Sequence, residues 1–305
     1  MNITSQAKRQ KLRSLIAGDV ALVAPGIYDG YGARLVQNAG FHAAYMTGNG
    51  VSASLLGAPD IGQVDLTLMA DHARRVSACI DIPLICDADT GYGGVLNIKR
   101  TVTEFEAAGV AAIHIEDQTF PKQCAQFQGS RTVLPFETAL AHIRAAVNAK
   151  SDPDFMIIAR TDSVGAFGLD EGIRRAKAFI ATGADAVFVE LKASPDALQI
   201  IKRIKYEVST PCLFNVDVGG PISELKAAEL KAHGIDIAIH PSLARGVFGF
   251  AMQAALEHLK EQQSLNAYGN QMFSSAQYNQ ALGLDEIQAW ENQALEGKTK
   301  PFYLE

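Results

Sequence analysis

Two aspartates two positions apart, Asp87 and Asp89, close the apolar run PLICDAD at residues 83–89. On an extended strand, side chains two apart share a face, so both carboxylates point the same way. Like charges that close repel, and the repulsion raises a pKa unless a cation neutralises it. Oxygen ligands with room for water suit Mg²⁺, with Mn²⁺ as the second ion of that preference. Glu116, at the end of the next run AAIHIED (111–117), could complete such a shell directly or through water. The plainer alternative for Asp89 is a helix cap, because Asp is favoured at helix N-termini.

Other chemistry-bearing residues follow the same placement. Arg160 ends the apolar run FMIIART (155–161), where its planar fork suits a carboxylate. A structural ion pair with Glu116 or Glu190 is the equal alternative. His114 lies two residues before Glu116, as an orienting group or a satisfied interior histidine. Residues 117–132, DQTFPKQCAQFQGSRT, form a long polar stretch after a strand, the usual composition of a lid. Within it Cys124 stands near Lys122, whose charge favours a thiolate able to take or give a proton. A cysteine in such a loop can equally be inert.

These residues need elements to carry them. Eight short apolar runs recur: ALVAPG (21–26), AAYMTG (43–48), PLICDAD, AAIHIED, FMIIART, DAVFVE (185–190), PCLFNV (211–216) and DIAIHP (236–241). Each suits a buried parallel strand. Helical spacing fills the intervals, as at 102–108, 139–149, 171–181 and 195–206. Helices close before the later strands at AGV, SDPD, TGAD, STP and HGI, where turn residues belong. Eight strands alternating with helices predict a (β/α)8 TIM barrel, residues 1–305 as one domain with 260–305 as a helical appendage. A doubly wound sheet usually carries G-x-G-x-x-G after its first strand, which is absent, and GNG at 48–50 is a lone glycine pair. Barrel chemistry sits at the C-terminal strand ends. Those ends present Thr47, Asp87, Asp89, His114, Glu116, Asp117, Arg160, Glu190, Asn215 and His240.

Composition narrows the classes. The 305 residues carry 27 Lys+Arg against 33 Asp+Glu, a formal net charge of −6, which argues against nucleic acid as a partner. With 48% hydrophobic and 20% charged residues, the chain can bury a large core. No run approaches the roughly 18 apolar residues of a membrane span, and the N-terminus lacks a signal-peptide core. Four cysteines without a C-x-x-C pair predict neither a disulfide scaffold nor a zinc site. A cytoplasmic enzyme of a small molecule is the expectation.

Taken together, YMTGNG…GAPD, DADTGYG, HIEDQ, the PKQC loop, IIARTD and the F-x-E at 188–190 resemble the isocitrate lyase/phosphoenolpyruvate mutase superfamily. The similarity runs from about Ala24 to the terminal helices and is strongest to the methylisocitrate lyase-like branch. It implies a (β/α)8 barrel in a homotetramer whose eighth helix is exchanged between subunits. It implies Asp87 as the main Mg²⁺ contact, with Asp89 and Glu116 holding metal waters and His114 supporting the shell. Tyr45, Thr47, Gly48 and Asn49 would line a 2-oxo or 2-hydroxy acid pocket, with Asp60 on a mobile segment. Arg160, Glu190 and Asn215 would position carboxylate and oxyanion oxygens.

Two segments depart from that pattern. The lid reads Lys122-Gln123-Cys124-Ala125-Gln126 in place of K-K/R-C-G-H, and FNVDVGGP replaces T-E-F-G-x-T-P after the seventh strand. The leading expectation is an Mg²⁺-dependent carbon–carbon lyase acting on a small 2-hydroxy di- or tricarboxylate of the methylisocitrate or dimethylmalate kind. Tyr45 would take the hydroxyl proton, and Cys124, with Lys122 beside it, would protonate the departing carbanion. Oxaloacetate decarboxylation or hydrolysis, phosphonopyruvate-type phosphorus–carbon chemistry and a non-catalytic metabolite-binding barrel are the alternatives.

Overall fold

The computed structural model describes residues 3–123 and 131–295. Eight strands run in chain order: β1 (Leu22–Ile27), β2 (Ala44–Met46), β3 (Leu84–Asp87), β4 (Ala112–Glu116), β5 (Met156–Thr161), β6 (Ala186–Val189), β7 (Leu213–Asn215) and β8 (Ile237–His240). Seven fall inside the runs read from the sequence, and β1 extends one residue past its run, to Ile27. Every pairing is parallel, in the order β6-β5-β4-β3-β2-β1-β8-β7. A single parallel bridge, Val187 with Cys212, joins the two ends, so the barrel is nearly closed. This is the α/β barrel that the eightfold repeat predicts.

Strand alternation decides which residues reach the interior. On β4, Ala112, His114 and Glu116 share one face, while Ile113 and Ile115 pack outward against helices. Inside, Leu22, Tyr45, Ile85, Ile158, Phe188, Leu213 and Ile237 form a packed plug rather than a pore. The helix Ser5–Ile16 seals the N-terminal end, with Leu12 fully buried among the strand starts. Its Lys8 Nζ donates to the Ser77 carbonyl at 2.9 Å, and Arg9 Nε to that of Val110 at 3.1 Å. Floor and plug leave only the C-terminal strand ends open for chemistry.

Helix ends follow the turn chemistry of the sequence. Gly109, Gly183 and Gly234 hold φ of 80°, 106° and 96°, and Ser209 of the STP turn takes the left-handed region at 51°.

The chain divides into two compact units, residues 1–246 and residues 247–305, so the division falls earlier than the expected appendage at 260. The first unit is the barrel. Described parts of the second are the remainder of helix Leu243–Gln262, a 3₁₀ turn at Asn266–Gln271, and helices Ser275–Ala281 and Leu284–Ala294. Among the described residues, no helix is long and apolar enough to cross a membrane.

Candidate active site

An acidic wall forms where β3 ends. Asp87 Oδ1 accepts the Asp89 amide at 2.9 Å, and its Oδ2 lies 3.3 Å from the Gly48 amide. A Cβ on Gly48 would stand 2.7 Å from that same Oδ2, so only glycine permits this approach. Asp89 takes a left-handed φ of 49°, which Asp tolerates better than most residues. It caps no helix, because the next one starts at Val95 behind Gly94. Lys122 Nζ makes a very short contact to Asp89 Oδ1, donates to Asp60 at 3.0 Å, and stands 4.0 Å from Asp87. Burial opposes the Asp87 charge, yet Lys122, with His114 and Arg160, outweighs it and holds the carboxyl below the usual range. Burial raises Asp89 well above its ordinary value, reinforced by Asp87, Asp60 and Glu116.

Beside this wall stands a clamp of arginines. Arg160 Nη1 lies 3.2 Å from Glu116 Oε2, and its Nε and Nη2 grip Asp162 at 3.1 and 3.0 Å. Its guanidinium rides over the Phe188 ring, 4.8 Å from the centroid. Arg131 makes a very short contact to Asp162 and reaches Glu190 at 3.4 Å. Asn215 donates to Glu190 at 3.0 Å. The structure has Arg160 ion-paired, with Glu116 and Asp162, and bordering the cavity.

Under the cavity floor, the Tyr45 hydroxyl and His114 Nε2 are 2.9 Å apart with their rings stacked. His114 is fully buried, and burial lowers its pKa to about 4, so it is neutral. It does not line the cavity; it supports Tyr45 from behind and stands 3.6 Å from Asp87. Burial, and Asp87 after it, push the Tyr45 phenol well above 10.0. Burial and Asp87 thus favour the neutral phenol.

The open cavity gathers Tyr45, Thr47, Asn49, Asp60, Asp87, Glu116, Lys122, Arg160, Glu190 and Asn215 from the sequence reading. Gly48 and Asp89 are not among the residues that line it. Lys122 faces the acids, and burial fails to neutralise it because Asp89, Asp87 and Glu116 raise its pKa. Cys124 lies outside the described residues. Sequence reasoning missed Arg131, Asp162, Gln118, Asp217 and Arg245. Arg245 borders the cavity without a hydrogen-bond or ion-pair partner among the described residues. Its signal was the position just after the eighth strand, where His240 drew the attention instead.

Residues 12–261 match the family described as phosphoenolpyruvate phosphomutase. The chain belongs to the phosphoenolpyruvate mutase/isocitrate lyase superfamily. A 2,3-dimethylmalate lyase of Eubacterium barkeri is 38% identical over 94% of this chain and 98% of its own. The structure of a 2,3-dimethylmalate lyase, itself a member of that superfamily, superposes with a TM-score of 0.85 at 36% identity, covering 96% of each chain. Oxaloacetate acetylhydrolase in complex with 3,3-difluorooxalacetate superposes at 0.89, with 32% identity over 97% of this chain and 99% of that one. Phosphonopyruvate hydrolase with oxalate and Mg²⁺ superposes at 0.84, with 26% identity over 94% and 99%. This superfamily member is an enzyme of the carbon–carbon lyase type that its lyase relatives represent.

Its residues also fit a divalent cation. Among the described residues, Asp60, Asp87, Asp89, Glu116, Asp162 and Glu190 make their ion pairs with Lys122, Arg131 and Arg160, six carboxylates to three cations. Glu116 Oε1 is buried with no hydrogen-bond partner. A divalent ion would supply both the missing charge and the missing partner. Among the described residues, however, no three His, Cys, Asp or Glu side chains are gathered closely enough to hold a metal directly. Asp87, Asp89 and Glu116 therefore form no direct three-carboxylate chelate. Asp87 would be the residue to hold such an ion directly and Glu116 across water, whereas Asp89 is engaged by Lys122.

Proposed function

We propose that the chain is an Mg²⁺-dependent lyase that splits a small 2-hydroxy dicarboxylate or tricarboxylate into a 2-oxo acid and a second carboxylate. The observation that carries this reading is a cavity with two unlike ends. At β3 and β4 stand Asp87 and the partnerless Glu116 oxygen; across the barrel, after β8, stands the uncommitted Arg245. The acidic end suits a metal and the 2-oxo acid half, and Arg245 suits a distal carboxylate.

Mg²⁺, held by Asp87 with Glu116 across water, would supply Lewis-acid charge to the oxygens of the half that becomes the 2-oxo acid. Arg160 adds fixed positive charge, and Asn215 an oriented amide. Tyr45, paired with His114 Nε2 at 2.9 Å, would take the hydroxyl proton as the C2–C3 bond breaks. Glu190, between Arg131 and Asn215, is held against the cavity by both. Cys124 keeps the role its sequence context gives it, proton donor to the departing carbanion. Closure of residues 117–132 would exclude water from that carbanion.

Arg245→Met tests the distal end of this reading. Loss of one charge-assisted contact raises KM and lowers kcat/KM on a 2-methylmalate-type substrate by about 30-fold, for ~2 kcal/mol. An unchanged KM would remove Arg245 from the site. Oxaloacetate hydrolysis or decarboxylation is the second reading, favoured by the seventh-strand loop FNVDVGGP, which lacks T-E-F-G-x-T-P. Both need the same acidic wall and both leave a carbanion that must gain a proton; they differ in whether C2 enters as an alcohol or as a ketone.

A further inference from the structure

We propose that Gln118 is a substrate-binding residue: its amide nitrogen donates to a carboxylate oxygen of the bound acid while its amide oxygen holds the backbone at Gln123. The proposal rests on the ligand being a small carboxylic acid, and not on which of its bonds breaks.

Strand alternation places the side chain. On β4, His114 and Glu116 face the barrel interior, so the next inward position is 118. The chain stays extended that far. The Thr119 amide donates to the Thr132 carbonyl at 2.9 Å, the Leu134 amide to that of Asp117 at 2.8 Å, and Gln118 and Val133 form an antiparallel bridge between them. Asp117 accordingly turns outward, to Thr161 and Arg175. Gln118 turns inward and lines the catalytic cavity, only 3% exposed.

Hydrogen bonding then fixes which way its amide lies. The Gln123 backbone N–H donates to Gln118 Oε1 at 2.9 Å. In a carboxamide only the oxygen accepts, so Oε1 is held there and Nε2 takes the other corner of the planar group. Nε2 has no hydrogen-bond partner among the described residues, and it is not sealed from solvent. Glu116 Oε1, two residues away in the chain, is sealed and partnerless, so the amide does not reach it. The two N–H groups of Gln118 therefore open on the cavity.

A neutral donor has a particular use in this place. Lys122 is already held by Asp60 and Asp89, and Arg160 by Glu116 and Asp162. A further cation would be captured by the same acids. An amide is not, and its N–H stays available to an incoming carboxylate, an acceptor that strengthens the bond by its charge.

The test uses the full-length protein with Mg²⁺ and 3,3-difluorooxalacetate, the inhibitor named for the oxaloacetate acetylhydrolase complex. Calorimetry reads its affinity, and hydrogen exchange reads the backbone N–H of Gln123. Gln118→Glu keeps the acceptor and, at alkaline pH, replaces the donor by an anion; Gln118→Met removes both. Affinity falls about tenfold in Gln118→Met and further in Gln118→Glu. Exchange at Gln123 stays slow in Gln118→Glu, which shows the local fold intact, and quickens in Gln118→Met. Wild-type affinity in Gln118→Glu would reduce the residue to a backbone support and overturn the proposal. Wild-type protein that does not bind the inhibitor would overturn it too. The predicted affinity pattern without cleavage of any hydroxy acid keeps Gln118 in the site and overturns the lyase reading instead.

Discussion

At Gly48 the absence of a side chain lets the Asp87 carboxylate lie against the backbone amide after β2, with a Cβ contact of 2.7 Å forbidden. Gly48→Ala therefore displaces the carboxylate that the reading gives to the metal. Mg²⁺ affinity by calorimetry falls by about tenfold or more, the ~1–3 kcal/mol scale of overpacking, while the Tm changes little. Unchanged affinity would detach Asp87 from the metal. Asp87, Glu116 and Arg160 were legible in the sequence because alternation on a strand fixes which face a residue joins. Arg131, Asp162 and Arg245 were not, since loops carry no such period and their partners lie far away in the chain. Asp89 was half legible: its place was right, but its engagement by Lys122 depends on a lid position that spacing does not encode.

Among the elements, the junction of β4 and β5 is fixed from below by Asp117. Its carboxylate accepts from Thr161 Oγ1 at 2.7 Å, the Asp162 amide at 2.9 Å and Arg175 Nη1 at 2.9 Å. Asp162 in turn holds Arg160 and Arg131, so a residue outside the cavity sets the arginine clamp. Asp117→Asn leaves Arg175 with only Glu171 and costs about 3 kcal/mol, read as a lower denaturation midpoint. Its kcat falls as well, because the clamp loosens; full stability and full activity would make the pair ornamental. Every strand was readable from apolar runs, and the helix stops from their turn residues. The turn after β3 was not, because Asp89, Gly91, Tyr92 and Gly93 all take positive φ, a conformation set by tertiary packing. Gly91 shows the constraint: a Cβ there would fall 1.9 Å from Ile98 Cδ1.

Across the whole molecule, the chain carries a net charge of −6 and its first unit is a nearly closed barrel. The second unit leaves Phe248, Met252, Leu256 and Leu259 exposed on one helical stripe, with Phe250 81% exposed beside it. We propose that a second copy of this chain covers that stripe in a homo-oligomer, as the family resemblance implies. Sedimentation then gives a mass several times 32.7 kDa, and Met252→Glu with Leu256→Glu lowers it. A wild-type mass of one chain would refute the assembly. The central claim concerns the reaction, and one measurement addresses it most directly. Release of 2-oxo acid in the presence of Mg²⁺ is followed from 2,3-dimethylmalate, 2-methylisocitrate, isocitrate and oxaloacetate, in the wild type and in Cys124→Ser. The account predicts pyruvate or glyoxylate from at least one hydroxy acid, reduced by about 10²-fold or more in Cys124→Ser. Turnover of oxaloacetate alone, untouched by that substitution, would contradict it.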